Sequence, residues 1–172
     1  MSELGQVDPA ALWEFRKRRV YVYEGGYNDS TCLVELDEEP PHDMNEEALS
    51  TALAVSMRFN AKPFDEVIVM RKVVIDGSNT SGFQRTALVA RNGLVTFMDL
   101  KVPIWTIALE EDAARRMGGE NGREVIYRLD RLGIPLIEIS TGPMEYPPNA
   151  IMDIAFYLGA NGQEYGQGKE GG

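Results

Sequence analysis

A chain of 172 residues with 44% hydrophobic composition is the size of one ordinary domain and has enough apolar side chains for a buried core, which excludes disorder over its whole length. Seventeen basic against 27 acidic residues give a formal net charge of -10, which repels phosphate backbones at long range and excludes a basic nucleic-acid clamp. The single cysteine, Cys32, and single histidine, His42, exclude an intrachain disulfide and a four-ligand zinc site.

Asp8-Pro9 predicts an N-cap and first-turn proline opening a short helix through Leu12, Trp13 and Phe15. It closes in the basic cluster Arg16 to Arg19, where positive charge suits the helix dipole. Val20 to Glu24 alternates and is rich in β-formers, Gly25-Gly26 breaks the run, and Ser30 to Leu36 supplies a second strand, so a hairpin is expected. Cys32 falls in that second strand, where a buried, inert thiol is expected rather than a nucleophile. His42 follows Pro40-Pro41 in an acidic loop and is placed at the surface.

Asp37 to Pro41 cannot continue a ladder, and Asn45 caps a helix running to about Phe59 with Leu49, Leu53 and Met57 along one stripe. A strand follows through Val67, Val69, Val73 and Ile75, then an irregular turn, Asp76-Gly77-Ser78-Asn79 with Ser81-Gly82. Asn92-Gly93 between the apolar runs Ala87 to Arg91 and Leu94 to Met98 is a short-range hairpin signal. Ile104 to Leu109, Glu124 to Leu129 and Leu136 to Ile139 read as further strands, and Pro147-Pro148 precedes a helical pattern through Ile151, Ile154, Ala155 and Leu158. The fold class is therefore α+β, a mostly antiparallel sheet with a few flanking helices. One domain is expected over residues 7–160, with a glycine-rich, disordered tail over 161–172.

Several constellations carry chemistry. Glu110-Glu111-Asp112 places three carboxylates where a strand leaves the core, although alternation turns Glu111 away from the other two and an acidic strand end in solvent is the bland alternative. Arg71 and Lys72 point to opposite faces of their strand, so one of them can face a cavity, and a lysine there can neutralise a phosphoryl group. A snorkelling surface lysine is the commoner fate. The loop from Asp76 to Arg85 lacks the GK[ST] ending of a Walker A loop and the GxGxxG spacing of a dinucleotide fingerprint. Its hydroxyl and amide groups, Ser78, Asn79, Thr80 and Gln84 with Arg85, suit a nucleotide or a charged tRNA end, and ordinary turn chemistry explains the same composition equally well. In DRLGIPLIEIS, Glu138 alternates with Ile137 and Ile139 on a half-buried strand, and Arg131 pairs with Glu138 or reaches substrate.

The strings MRKVVIDGSNTSGFQRT (Met70 to Thr86), LEEDA (Leu109 to Ala113) and YRLDRLGIPLIEIST (Tyr127 to Thr141) together resemble the synthetase core of archaeal glutamyl-tRNA(Gln) amidotransferase E subunits, in the GatB/GatE family, from Val7 to about Gly159. The resemblance implies an ATP-dependent carbon–nitrogen ligase that phosphorylates the side-chain carboxylate of glutamate misacylated onto tRNA(Gln) and lets ammonia displace the phosphate. It implies ATP and Mg2+ as cofactors and Glu111 as a magnesium ligand and catalytic residue, supported by Glu110 and Asp112. Lys72 is implied beside the active site, and the strand face bearing Glu138 in the cleft. The implied partners are an asparaginase-like D subunit that supplies ammonia, and Glu-tRNA(Gln) itself.

The loop Asp76 to Arg85 departs from the Pro-Lys-Gly-Tyr-Gln type of sequence in the bacterial B-type subunits, whose ammonia comes from an amidase-like partner. No counterpart of the family's Gly-Leu-Glu-Ile-His type opening motif, nor of its Ile-Arg-Gln-Asp-Val-Asn type strand, is present. The chain is therefore expected to be an incomplete core, inactive when it is combined with only the asparaginase-like D subunit. The competing expectation is an inactive interaction module that docks to an asparaginase-like or amidase-like protein. With no apolar run of membrane-spanning length and no export-signal pattern in MSELGQVDPA, a reducing cytoplasm is the expected compartment and no membrane partner is expected.

Overall fold

The computed structural model describes residues 7–26, 31–118 and 123–163. In chain order the elements are α1 (Pro9–Arg16), β1 (Val20–Glu24), α2 (Glu46–Arg58), β2 (Lys62–Pro63), β3 (Val69–Val73), β4 (Phe83–Phe97), β5 (Leu100–Glu111), β6 (Arg115–Gly118), β7 (Glu124–Arg128), β8 (Pro135–Thr141) and α3 (Pro148–Gln163). They fall into two compact units. The first takes Met1–His42, Arg71–Arg85 and Glu111–Ile134, and the second takes Asp43–Met70, Thr86–Glu110 and Pro135–Gly172. The chain passes from one to the other inside β3, β4 and β5. The α+β class and the mostly antiparallel pairing are as expected.

In the first unit, Asp8 caps α1 by accepting from the amides of Ala10 at 2.7 Å and Ala11 at 3.3 Å, with Pro9 where its missing N–H costs nothing. Glu14 of α1 accepts from Lys17 and Arg19, and the Lys17 bond holds its carboxyl below the usual range. β1 lies parallel to β7, with Val20 opposite Glu124, and β6 runs antiparallel along the other side of β7. Ala114, Val125, Tyr127, Leu129 and Leu132 are buried together, with Tyr21 packed on them.

The hairpin expected after β1 does not form, because the partner of β1 comes from far along the chain. Among the described residues the expected second strand is instead a run of turns. The Leu36 amide donates to the Cys32 carbonyl, Asp37 to Val34 and Glu38 to Leu33, while Glu35 Oε2 accepts from the Cys32 amide at 2.7 Å. A glutamate capping a turn from inside it competes with strand pairing, and Cys32 is left exposed rather than buried. Residues 27–30 lie outside the described residues.

In the second unit, Asn45 accepts from the Ala48 amide at 2.9 Å and α2 ends at Arg58, as the cap pattern predicts. Its buried face matches the expected one only in part: Leu49 and Leu53 pack on the core, but Met57 is 71% exposed, and Ala52, Val55, Ser56 and the following Phe59 are the buried residues. Ser56 is tolerated there because its hydroxyl donates to the Ala52 carbonyl at 2.7 Å. Val55, Phe59, Ile104, Ile107, Ile154 and Leu158 form the centre of the core, and Ala52, Val89 and Leu109 form a second cluster that takes Leu49 and Leu53.

The sheet of this region has the order β2-β4-β5-β8, with β3 also paired to β4. β3 is shorter than expected, and Val67 and Ile75 lie outside it. The hairpin turn expected at Asn92-Gly93 falls further along the chain: β4 runs through both residues, and the reversal is at Met98-Asp99, both at positive φ (46° and 67°), with Phe97 opposite Leu100. Gly93 serves a close approach instead. A Cβ there would fall 2.7 Å from the Phe59 carbonyl oxygen, which accepts from the Leu94 amide. α3 runs on through Gln163, so Asn161, expected in a tail, is buried and donates to the Tyr157 carbonyl at 2.7 Å. The remaining tail residues, 164–172, lie outside the described residues. No helix among the described residues is long and apolar enough to cross a membrane.

Candidate functional site

The loop between β3 and β4 is fastened from both sides within the first unit. Asp76 Oδ1 accepts from the Ser78 amide at 3.0 Å and the Ser78 hydroxyl at 2.7 Å, the geometry by which an aspartate builds a turn from its own side chain. Tyr23 donates its hydroxyl to the Gly77 carbonyl at 2.7 Å and Tyr127 to the Asp76 carbonyl at 3.0 Å. Burial, reinforced by the Asp76 carboxylate, pushes both phenols above their usual pKa, so they remain donors across the neutral range. Gly77 itself sits at φ 85°, and a Cβ on it would lie 2.6 Å from the Tyr21 ring. The Ala114 amide holds the Ser78 carbonyl at 2.8 Å, and the loop closes with Gly82 donating to the Asn79 carbonyl and Val74 to the Gly82 carbonyl.

This anchoring turns Asn79, Thr80 and Ser81 toward a cavity of about 390 Å³. Its other walls are the acidic segment with Glu35, Asp37, Glu38, Glu39, Pro40 and Pro41, the strand residues Arg71, Phe83, Arg85 and Glu111, and the turn residues Leu132 and Gly133. All of these belong to the first unit. The Arg71 guanidinium lies over the Phe83 ring, 5.0 Å from its centroid. Arg85 donates Nε to Glu111 Oε1 at 2.8 Å, Nη2 to the same oxygen, and Nη1 to the His42 carbonyl. Gln84 holds the Glu111 carbonyl at 2.7 Å. Asn79 is only 6% exposed, and its Oδ1 has no hydrogen-bond partner among the described residues.

The structure thus brings Asn79, Thr80, Arg85 and Glu111 of the sequence candidates around one cavity. Ser78 and Gln84 support it through the bonds above without lining it. Lys72 is exposed and is not among the lining residues; its neighbour Arg71 is, as strand alternation requires of one of the two. Arg131 donates to the Ala113 carbonyl and lies 3.5 Å from Asp112 Oδ2. Glu110 and Glu138 belong to the second unit, where Glu110 is buried and accepts from the Thr86 hydroxyl at 3.1 Å while Glu138 is exposed on β8. His42 is at the surface as expected, its ring 3.1 Å from Glu39. Sequence reasoning missed Arg71, Phe83 and the 35–39 carboxylates as cavity residues; the alternation of Arg71 with Lys72 was the one signal available.

No three His, Cys, Asp or Glu side chains among the described residues come together at metal-binding spacing, so these residues do not form an all-protein cage. Magnesium does not require one: it binds through one or two carboxylates and completes its octahedron with waters and substrate phosphates. Glu111 meets that need in part, because Arg85 takes Oε1 and leaves Oε2 outside the pair.

A family model described as the GatB/GatE catalytic domain matches residues 15–166. Curated relatives named as E subunits of glutamyl-tRNA(Gln) amidotransferase include one from Caldivirga maquilingensis, 69% identical over 159 residues that cover 92% of this chain and 25% of the relative. One from Pyrobaculum calidifontis is 63% identical over 171 residues, covering 99% of this chain and 28% of the relative. One from Pyrococcus abyssi is 58% identical over 159 residues, covering 92% of this chain and 25% of the relative. The chain therefore spans about a quarter of the length of the curated relatives it matches.

Proposed function

The chain belongs to the GatB/GatE catalytic-domain family, and on that footing we propose that it forms part of a tRNA-dependent amidotransferase acting on Glu-tRNA(Gln). In this reading a side-chain carboxylate oxygen of the glutamyl group attacks the γ-phosphorus of ATP and releases ADP. Ammonia then attacks the acyl carbon of the resulting acyl phosphate, phosphate leaves, a proton is lost, and Gln-tRNA(Gln) remains. A carboxylate is a poor electrophile at neutral pH, so the site must both stabilise phosphoryl charge and shield the acyl phosphate from water.

The observation that carries the reading is the Arg85–Glu111 pair at the wall of a cavity that Arg71 also lines. Arg85 fixes Glu111 by one oxygen, and the other is presented for magnesium when a nucleotide is bound; the metal would supply charge neutralisation at the phosphates. Arg71 supplies a fixed positive charge, and its stacking on Phe83 limits the rotamers it must give up on binding. Asn79 and Thr80 contact the substrate, while Ser78 and Gln84 hold the frame. Lys72, exposed and outside this cavity, is given no part in the phosphoryl chemistry proposed for it. An asparaginase-like protein as ammonia source and a cytoplasmic setting complete the proposal; the word subunit in the relatives' names supports an assembly of several chains.

The test is to exchange this chain for the matching region of a full-length relative and follow conversion of Glu-tRNA(Gln) with ATP, Mg2+ and ammonium chloride. Glu111→Gln and Arg71→Ala are each expected to lower the rate by about a hundredfold or more, with Lys72→Ala run beside them. Full activity of Glu111→Gln would remove the assignment of the cavity to phosphoryl transfer.

A further inference from the structure

The cavity wall carries both signs of charge, unevenly. Arg85 neutralises Glu111, and the remaining charged lining is Glu35, Asp37, Glu38 and Glu39 against Arg71. A wall of that balance raises the local concentration of cations rather than of bare polyanions. Asn79 supplies the second, independent observation: it lies on the same wall, is 6% exposed, and its Oδ1 has no hydrogen-bond partner among the described residues. A buried amide oxygen has lost its bonds to water and recovers that loss only from a donor. A group that suits this wall therefore bears N–H donors and positive charge.

A glutamyl ester has such a group, since its α-amino nitrogen is protonated at neutral pH while its side chain carries the carboxylate to be activated. We propose that the cavity seats this α-ammonium between Asn79 Oδ1 and the carboxylates of residues 35–39, so that the side-chain carboxylate is directed toward Arg71. The inference rests on the reading that the site takes a glutamyl ester, and it names the part of that substrate which the acidic wall recognises. Phe83 and Pro41 supply apolar contact for the methylenes between the two charges. An N-acylated ester has neither the charge nor the full set of donors, and the wall selects against it.

The test uses the whole chain and three probes: L-glutamate α-methyl ester, its N-acetyl derivative, and L-alanine methyl ester, with binding followed by nuclear magnetic resonance titration. The free-amine glutamyl ester is expected to bind about tenfold or more tightly than the acetylated one. Asn79→Leu is expected to erase that difference. Glu38→Gln, at an exposed position that leaves the fold alone, is expected to weaken the free-amine ester about threefold and leave the acetylated ester unchanged. Equal binding of the free and acetylated glutamyl esters overturns the ammonium seat while leaving the glutamyl reading intact. Equal binding of the alanine and glutamyl esters, with the acetylated glutamyl ester bound more weakly than both, upholds the seat and removes the glutamyl reading. Binding of neither free-amine ester overturns the inference.

Discussion

Arg85 grips Glu111 through a single carboxylate oxygen, Nε and Nη2 both donating to Oε1, while its third arm holds the His42 carbonyl. One guanidinium thus ties the start of β4 to the end of β5 and to the acidic segment that walls the cavity. Its side chain is 15% exposed and that of Glu111 31%, so the pair lies between a surface bridge of little worth and a buried one whose loss is severe.

Arg85→Ala leaves a partly buried carboxylate and a backbone carbonyl without their donor, and is expected to lower the unfolding free energy by about 1–3 kcal/mol. Arg85→Lys is expected to recover less than half, because an ammonium cannot reproduce the planar fork that serves both Glu111 Oε1 and the His42 carbonyl. Urea denaturation read by Trp13 fluorescence, with Trp105 replaced by Phe, reports on the unit that carries the pair. An alanine variant as stable as the parent would show that the contact has no weight.

Gly77→Ala combines a left-handed backbone at φ 85° with a Cβ placed 2.6 Å from the Tyr21 ring. The expected cost is about 2 kcal/mol, seen as a lowered melting temperature. Gly25→Ala, where a Cβ meets nothing within 4 Å, is the control and is expected to stay within about 0.5 kcal/mol of the parent. Equal melting temperatures for the two variants would mean that the tyrosine packing under the loop yields freely.

Cys32 is exposed, yet its hydrogen bond to Glu35 pushes its thiol above the usual pKa. A raised thiol pKa leaves less thiolate at neutral pH, so iodoacetamide should react slowly there and the rate should climb only at a pH above that of an ordinary cysteine. Glu35→Gln removes the carboxylate that disfavours ionisation, and the rate profile is expected to move to lower pH. A parent profile centred at or below the ordinary thiol value would contradict the contact.

What the sequence disclosed divides along the reach of the interactions concerned. Asp8 and Asn45 mark their helices because a cap is made with amides two or three residues away. Cys32 and Asn92-Gly93 misled for the complementary reason: Ser30 to Leu36 has strand composition, but the pairing partner of β1 is β7, and Gly93 answers to the Phe59 carbonyl rather than to a turn. The loop residues Asn79 and Thr80 and the carboxylate Glu111 could be singled out from residue type and family likeness, and the three line one cavity. Alternation separated Arg71 from Lys72 without saying which faced inward, since that depends on which side of β3 the 34–41 segment covers. The acidic run itself reads as an ordinary solvated loop until the cavity beside it is seen.

The interleaving of the two units bears on how the chain is made. Val20–Glu24 is synthesised well before its ladder partner Glu124–Arg128, and the second unit waits in turn for β8 and α3. Neither unit can finish while the other is still wholly unsynthesised, so folding during translation cannot proceed by completing one half and then the next. While the residues between β1 and β7 are being synthesised, the nascent chain presents an unpaired, valine- and tyrosine-rich strand to whatever else is nearby.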